Sequence, residues 1–261
     1  MPTTTNDGVT LHYETDGSGE TVAFVNDVGA GAWLWSWQHG VVAGPYESLV
    51  WDLRGTGRSD APEGPYSVAT LADDLEAVLS DAGVTSVHLV GAGLGGMVAL
   101  AYADRYHRAD SLALFGSAAN GAAVADRLDD LWAPLDDPDA LGESLQAAFA
   151  SDLTGHRTIR EEMVQWRQAD DADRTGWAAQ AAAMGAFEAP PLYEITLPAL
   201  VMHGVDDEIV PASAGEELAA ELPRGEYQAV EGGHWAFIEE SAAVSDALLS
   251  WLDEHHDESN P

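Results

Sequence analysis

A short glycine-rich stretch, residues 90–96, constrains the fold more than any other part of this chain. It follows an apolar run typical of a buried strand, residues 86–90, and precedes a run of small and apolar residues typical of a helix, residues 97–102. A tight turn between a strand and a helix needs backbone conformations that glycine adopts at little steric cost. The sequence therefore predicts a strand, a sharp turn and a helix in immediate succession.

This turn matches the G-x-S-x-G pattern of a nucleophile elbow in frame, but Gly93 stands at the serine position. An elbow of this kind presents the hydroxyl of a serine at the end of a strand. Gly93 has no side chain, and Ala92 before it is also apolar. A covalent intermediate on a serine is therefore excluded at this position, and we expect glycine to relieve the backbone strain that a serine would carry there.

Strand and helix patterns alternate along the rest of the chain, which is typical of a parallel sheet with crossover helices. The predicted fold class is therefore α/β, with a mostly parallel twisted sheet flanked by helices. Residues 9–14 alternate between apolar and polar, and this predicts an antiparallel strand at the edge of the sheet. Buried strands are predicted at residues 21–25, 47–51, 86–90, 111–115, 199–202 and 226–230, and helices at residues 67–82, 97–102, 212–221 and 242–252.

Residues 120–190 differ from the rest, because they combine aspartates and alanines with helical spacing and contain no strand pattern. They predict a helical insertion that ends at Pro190-Pro191. The polar tail from His255 to Pro261 is predicted to fray. The two tail histidines lack further ligands that the sequence could place beside them, so no metal site is predicted.

The charge of the chain is extreme, with 45 acidic residues against 10 basic ones and a net charge of −35. All the basic residues are arginine. Self-repulsion of this size destabilises a compact state in dilute buffer, whereas molar salt shortens the screening length to about 3 Å. We therefore expect a cytoplasmic protein from a halophile that accumulates salt. Nucleic acids and anionic membranes are not expected as partners, since both repel an acidic surface.

Composition excludes several further classes of protein. There is no cysteine, so disulfides, thiolate metal sites and a cysteine nucleophile are ruled out. No apolar run reaches the ~18 residues of a membrane span. We also expect no secretion signal, because no basic start followed by an apolar block is present at the beginning of the sequence.

Three further motifs surround the glycine-rich turn. Residues 51–60 follow the pattern D-x-R-G-x-G-x-S, residues 204–211 follow G-x-x-D-x-x-V-P, and Gly233-His234 forms a G-H pair after the last predicted strand. Together with the elbow, these motifs resemble the α/β-hydrolase superfamily over nearly the whole chain. The likeness is greatest to esterases, cofactor-free haloperoxidase-like enzymes and 3-oxoadipate enol-lactonases.

This resemblance implies an α/β-hydrolase core formed by residues 1–119 and 191–261, with residues 120–190 as a helical cap. It implies Asp207 as the triad acid and His234 as the triad base, in the chain order that this fold uses. The backbone N–H groups of Val28 and Leu94 are implied as the oxyanion hole. It implies no cofactor and no metal.

The implied pocket includes Asn26, Asp27, Ala92, Trp33 and Trp235. Asp27 is unusual, because an ionised carboxylate near the hole opposes a developing oxyanion. Two alternatives stay open for it, namely a pocket group and a turn residue that points outward. At Gly93 we expect a gap beside His234, with room for one water if polar groups line it.

Two functions follow from this set of residues. The first is hydrolysis of a small ester or lactone, in which His234 and Asp207 act as a general-base dyad without a covalent serine intermediate. The second is a pseudohydrolase that binds a small apolar ligand or a protein partner under the cap. An engineered knock-out is disfavoured by Ala92. The substrate and the oligomeric state are left open by the sequence.

Overall fold

The computed structural model describes residues 2–151 and 157–256. Its strands are β1 (Thr3–Asn6), β2 (Val9–Gly17), β3 (Thr21–Val25), β4 (Glu47–Trp51), β5 (Val87–Ala92), β6 (Ala109–Phe115), β7 (Ala199–Gly204) and β8 (Gly225–Val230). Its α-helices are α1 (His39–Val42), α2 (Val68–Asp81), α3 (Leu94–Arg105), α4 (Pro138–Ser144), α5 (Arg157–Asp170), α6 (Arg174–Gly185), α7 (Ala212–Glu221), α8 (Ala236–Glu239) and α9 (Ser241–His256).

The strands form one eight-stranded sheet in the order β1-β2-β4-β3-β5-β6-β7-β8. β1 and β2 pair antiparallel, β2 pairs antiparallel with β4, and all later pairs are parallel. Every residue of β3 and β5 is buried, as expected for central parallel strands covered by helices on both faces. The mostly parallel α/β sheet predicted from the alternating pattern is therefore confirmed.

Helix α2 shows how local sequence sets these elements. Ser67 lies before the first helical residue, and its hydroxyl accepts the N–H of Thr70, which satisfies a donor at the helix start. Val68, Leu71 and Leu75 recur at helical spacing and are buried against the core. The predicted helix at residues 67–82 is thus confirmed, with Ser67 and Ala82 as its caps.

The edge-strand prediction for residues 9–14 is wrong in one respect. The strand exists, but β2 is not at the edge, because β1 pairs along its outer side. The sequence reasoning missed β1 because Thr3–Asn6 has no apolar residue, and its side chains alternate only between exposed and half-buried. A strand that buries so little apolar surface is held by its backbone pairing.

The end of the chain also differs from the prediction. The predicted fraying at His255 and His256 is wrong, because both residues continue α9. His255 Nδ1 donates to the carbonyl of Trp251, 2.8 Å away, so one tail histidine is tied to its own helix. The rest of the predicted tail, residues 257–261, lies outside the described residues.

In the described part of residues 120–190, helices and short 3₁₀ turns dominate. One isolated bridge joins Asn120 to Glu188 at the two ends of this segment. Within residues 2–151 and 157–256, no helix is both long and apolar enough to cross a membrane.

The carboxyl ends of the parallel strands meet at one edge of the sheet, which is where ligands bind in open α/β sheets. β3 leads there to Asp27, β5 leads to Gly93, β7 leads to Asp207, and β8 leads to His234. Positions far apart in sequence are therefore brought to one place by the strand order.

Candidate active site

Gly93 forms the turn between β5 and α3 with φ of 49° and ψ of −112°. Residues other than glycine rarely adopt a backbone conformation with this positive φ. Its N–H donates to the carbonyl of Phe115 at 2.9 Å, and its carbonyl accepts the Ser117 hydroxyl at 2.9 Å. The turn is therefore fixed by the neighbouring strand β6.

His234 and Asp207 lie side by side in buried loops after β8 and β7. The distance from His234 Nδ1 to Asp207 Oδ2 is 2.8 Å. The other oxygen of Asp207 accepts the N–H groups of Ile209 and Val210 at 2.8 and 2.9 Å. His203 Nε2 lies 3.1 Å from Asp207 Oδ2. The carboxylate is thus held in one orientation, and it orients the imidazole.

Asp27 brings a second carboxylate to the same histidine. Its Oδ2 lies 3.0 Å from His234 Nε2 and accepts the indole N–H of Trp235 at 3.0 Å. Its Oδ1 accepts the N–H of Val28 at 2.7 Å and the N–H of Leu94 at 3.1 Å. These are the two N–H groups that the sequence resemblance implied as an oxyanion hole. One carboxylate therefore contacts both of them and the imidazole.

The alternative of an outward-pointing Asp27 is wrong, because the residue is 0% exposed. The expected gap beside His234 is also wrong. A Cβ added at Gly93 would overlap Asp27 Oδ1, so the Asp27 carboxylate occupies the volume that a side chain at position 93 would need. Asp27 and Gly93 are thus sterically coupled, although they lie on different loops.

The charges of this cluster are strongly coupled. Burial lowers the pKa of His234, but attraction to Asp207 and Asp27 outweighs the burial and raises the pKa to about 10. Burial raises the pKa of Asp207, but His234 and His203 outweigh it and hold the pKa well below its usual range. At neutral pH His234 is therefore an imidazolium between two carboxylates, with both ring nitrogens as donors.

The remaining predicted pocket residues have different surroundings. The Asn26 side chain turns to the carbonyl of Trp51, to which it donates at 3.0 Å. Ala92 is buried as the last residue of β5. Trp33 packs edge-on against Trp235, with ring centroids 5.8 Å apart, and its indole N–H donates to Asp171 at 2.7 Å. Trp33 thus covers the tryptophan that contacts Asp27.

Part of the segment formed by residues 120–190 packs over this cluster. Gln180 of α6 accepts the N–H of Gly29 at 2.7 Å and donates to the carbonyl of Arg54 at 2.9 Å. The Trp177 ring lies directly over Gly29, where a Cβ would overlap it. A small cavity with room for at most about one water borders His234, and its lining includes Phe115, Met202 and Val244 but not Asp27. Asp27 and His234 are both buried, so a ligand can reach the cluster only if residues of the segment 120–190 or the surrounding loops move.

The loop that carries His234 is also hydrogen-bonded, with Glu239, to residues 148–151. Glu239 accepts the N–H groups of Gly233, Ser151 and Ala150 at 2.6, 2.8 and 3.2 Å. The N–H of Trp235 donates to the carbonyl of Ala148 at 2.9 Å. The sequence reasoning missed both Glu239 and Gln180. A motif search finds neither, since their partners are backbone groups far away in the sequence.

Comparison with known proteins assigns the family. A model of the alpha/beta hydrolase fold matches residues 29–241. The chain belongs to the alpha/beta hydrolase family. Among this alpha/beta hydrolase's relatives is "Putative carbamate hydrolase RutD" of Variovorax paradoxus, 32% identical, with 93% of this chain and 96% of the relative covered. Another is 3-oxoadipate enol-lactonase 2 of Acinetobacter baylyi, 25% identical over 94% of each chain.

Solved structures show the same architecture for this alpha/beta hydrolase. An esterase from Thermogutta terrifontis matches with a TM-score of 0.83 and 26% identity, covering 97% of each chain. The enol-lactonase from Burkholderia xenovorans LB400 matches with a TM-score of 0.85 over 97% of this chain and 100% of that one, and its 24% identity supports the fold alone. The α/β-hydrolase fold expected from the motifs is confirmed.

Proposed function

We propose that this chain hydrolyses a small uncharged ester or lactone, with His234 and Asp207 as a general-base dyad and without a covalent serine intermediate. In this proposal Gly93 occupies the nucleophile position and residues 120–190 form the cap. The relatives named as a carbamate hydrolase and an enol-lactonase support a small acyl substrate. No cofactor or metal is required for this reaction.

One observation carries the proposal. His234 Nε2 and the N–H groups of Val28 and Leu94 all converge on a single carboxylate, that of Asp27. An acyl-transfer site needs this set of donors, because a negative oxygen develops where the two N–H groups point and a proton moves at the imidazole. The donors are preorganised around an anion although no serine is present.

The reaction begins when the substrate carbonyl displaces the Asp27 carboxylate from the two N–H groups. His234 then loses one of its two anionic neighbours, so its pKa falls and its Nε2 proton passes to solvent, from which His234 recovers a proton after product release, when Asp27 returns. Neutral His234 takes a proton from water while the water oxygen bonds to the carbonyl carbon. The oxyanion that forms accepts the N–H groups of Val28 and Leu94.

Collapse of this intermediate breaks the bond to the leaving alkoxide, which takes the proton from His234. The products are a carboxylic acid and an alcohol, or one hydroxy acid from a lactone, so atoms and protons balance. General-base catalysis of this kind contributes about 10²–10⁴-fold. We therefore expect slow turnover compared with an enzyme that uses a serine nucleophile.

The test compares hydrolysis of short aryl esters and of a small lactone in multimolar salt by the parent chain and two histidine variants. His234→Ala is expected to reduce kcat/KM by about 10²–10⁴-fold, the contribution of the general base. His107→Ala serves as the matched control, because His107 is exposed. Equal rates in the parent and His234→Ala would overturn the proposal.

The second candidate is a pseudohydrolase, and the closure of the cluster favours it. Asp27 and His234 are 0% and 2% exposed, so the donors are already satisfied within the chain. In this alternative the cap segment binds a small apolar ligand or a protein partner while Asp27 stays in place. The hydrolysis assay separates the two, since a pseudohydrolase has no turnover that depends on His234.

We also propose that the protein is cytoplasmic in a halophile. The support is its net charge of −35 with arginine as the sole basic residue type. Because screening weakens as salt is removed, repulsion between the carboxylates grows. Circular dichroism during dialysis from multimolar to millimolar salt is expected to show loss of helix. An unchanged spectrum and unfolding temperature would contradict this origin.

A further inference from the structure

The side chain of Asp27 has the heavy atoms of acetate, tethered to the backbone through its methyl carbon. It lies fully buried with each oxygen bound by two donors: Oδ1 by the N–H groups of Val28 and Leu94, and Oδ2 by His234 Nε2 and the indole N–H of Trp235. A carboxylate on the surface needs no such arrangement, because water would solvate it. The four donors therefore form a built binding site for one carboxylate.

We propose that Asp27 is the built-in occupant of the acyl site, and that the ligand class of this site is a carboxylic acid or acyl group of about the size of acetate. This inference rests on the proposed function and names its substrate class, namely esters of acetic acid and similarly short acids. Asp27 acts as a specificity-determining residue, since only a group that replaces its carboxylate can enter.

The positions of the two oxygens correspond to the reacting atoms. When water adds to an ester, the carbonyl carbon acquires two oxygens besides the leaving group: the former carbonyl oxygen and the water oxygen. Oδ1 lies where Val28 and Leu94 stabilise the former carbonyl oxygen. Oδ2, at 3.0 Å from His234 Nε2, marks the place of the water oxygen. Asp27 thus has the geometry of the acid product.

Four donors also set the chemical selectivity of the site. A ligand with a single acceptor oxygen leaves two of the buried donors unpaired, at a cost of about 1–3 kcal/mol for each. A carboxylate satisfies all four, and the imidazolium of His234 adds a charge-assisted hydrogen bond. Alcohols and amines are therefore excluded in favour of carboxylates.

The surrounding backbone sets the size limit. On one side a Cβ at Gly93 would already overlap the carboxylate. On the other side the methylene of Asp27 leads directly into its own loop, which is fixed by the bond from Ala30 N–H to the carbonyl of Asp27 at 3.2 Å. An acid with a longer chain has to displace this loop. The Asp27 side chain beyond Cα has the same number of heavy atoms as acetate, so its removal frees a volume of about that size.

The test removes the tether and supplies the ligand separately. The Asp27→Gly variant is titrated with formate, acetate, propionate and butyrate by calorimetry in multimolar potassium chloride, with total salt held constant. We expect Asp27→Gly to bind acetate at least about tenfold more tightly than the parent chain does. Butyrate should bind at least about tenfold more weakly than acetate, since each methylene in a fitted site is worth about 10-fold or more.

Asp27→Asn is the matched control, because its amide keeps the shape of the side chain and still fills the volume. It is expected to bind no acetate. In Asp27→Gly, acetate should also raise the pKa of His234 again, measured by the proton resonances of the imidazole. If Asp27→Gly folds and binds none of the acids, or binds acetate and butyrate equally, the inference is overturned.

If Asp27→Gly does not fold in chloride alone, refolding is repeated with acetate and with the same concentration of additional chloride. Refolding that requires acetate supports the acyl site, and equal refolding in both salts overturns it. Asp27→Ala provides a second variant that opens the site while it keeps a Cβ.

The activity of Asp27→Gly separates this inference from the proposed function. With the two hole donors free, we expect hydrolysis of acetate esters to rise on the order of 10²-fold, the effect of one oxyanion-hole donor. Acetate binding without hydrolysis by any variant would leave the acyl site standing and refute the hydrolase. Hydrolysis by the parent that is lost in Asp27→Gly would overturn the inference, because Asp27 would then act directly on the substrate.

Discussion

Two histidines, His88 and His234, lie at opposite ends of the sheet. In each, both ring nitrogens lie within hydrogen-bond distance of an oxygen, but the surroundings of the two differ. At the amino ends of the strands, His88 Nδ1 lies 2.6 Å from Ser111 Oγ, and its Nε2 lies 3.2 Å from Glu20. At the carboxyl ends, His234 lies between Asp207 and Asp27. The first group contains a serine, a histidine and an acid, whereas the second lacks the serine.

The difference lies in the backbone. Two N–H groups, from Val28 and Leu94, converge beside His234. Among the described residues, no backbone N–H donates to Ser111 Oγ, which lies within strand β6. An oxyanion needs preorganised donors more than it needs a particular order of side chains. A contact between a serine, a histidine and an acid is therefore not enough by itself to identify a hydrolase.

The largest effect is expected from variants that change the steric coupling between Asp27 and Gly93. Gly93→Ser alone should destabilise the fold, by about 1–3 kcal/mol from overpacking against Asp27 and about 1–3 kcal/mol from the positive φ. The double variant Gly93→Ser/Asp27→Gly removes the overlap and places a hydroxyl beside His234. Chemical denaturation and labelling by a serine-directed phosphonate measure these effects.

For the double variant we expect phosphonate labelling and a gain in ester hydrolysis on the order of 10³-fold or more, since loss of the nucleophile in a serine triad costs up to about 10⁶ in kcat. Ser111 is the control at the other end of the sheet. If the parent is labelled at Ser111, or if Ser111→Ala removes the labelling of the double variant, the comparison fails.

The next effect concerns the two acids. Asp207→Asn leaves a buried imidazolium with one carboxylate fewer, and breaking a buried ion pair in this way costs about 3–5 kcal/mol. Glu20→Gln should cost about 0–1 kcal/mol, because the Glu20 side chain is 32% exposed and its pair is screened by solvent. Urea unfolding at constant salt compares the two. Equal losses would show that burial does not distinguish these ends of the sheet.

Site residues that lie in local motifs could be predicted from the sequence, whereas contacts between distant parts of the chain could not. Asp207 and His234 were predicted because each lies in a local motif after a buried strand. The orientation of Asp27 was not predictable, since it depends on Leu94 and His234, which are 67 and 207 positions away in the sequence. One signal was available from the sequence resemblance, which implies a serine at position 93 and makes an acidic residue at position 27 unusual.

The fold was predictable to a similar degree and for a similar reason. The predicted strands at residues 21–25 and 47–51 have the same boundaries as β3 and β4, because each contains at least three consecutive buried apolar residues. β1 was missed, since a polar strand is specified by its partner, β2, and has no periodic pattern of its own. The packing of residues 120–190 near Asp27 could likewise not be predicted from the sequence, because it depends on hydrogen bonds between the side chains of Gln180 and Glu239 and distant backbone groups.

A smaller effect is expected from pH. The pKa of His234 is raised from 6.5 to about 10, so its contribution to stability is complete below about pH 6.5 and is lost as the pH rises through about 10. The unfolding temperature of the parent should therefore fall between these values at constant salt. His234→Gln should flatten this part of the profile. A parent profile that rises over the same range would contradict the imidazolium.

The smallest change in stability is expected when a single hydrogen bond is removed at either end of the sheet. Trp235→Phe removes one donor from the buried Asp27 carboxylate, and a hydrogen bond to a charged group is worth about 1.5–3 kcal/mol. Ser111→Ala removes the hydrogen bond between the Ser111 hydroxyl and His88, and an ordinary intramolecular hydrogen bond is worth about 0.5–1.5 kcal/mol. Urea unfolding of both variants measures which of them loses more stability. No loss in Trp235→Phe would mean that Oδ2 of Asp27 is held by His234 alone, and the acyl site would then offer three donors to a carboxylate instead of four.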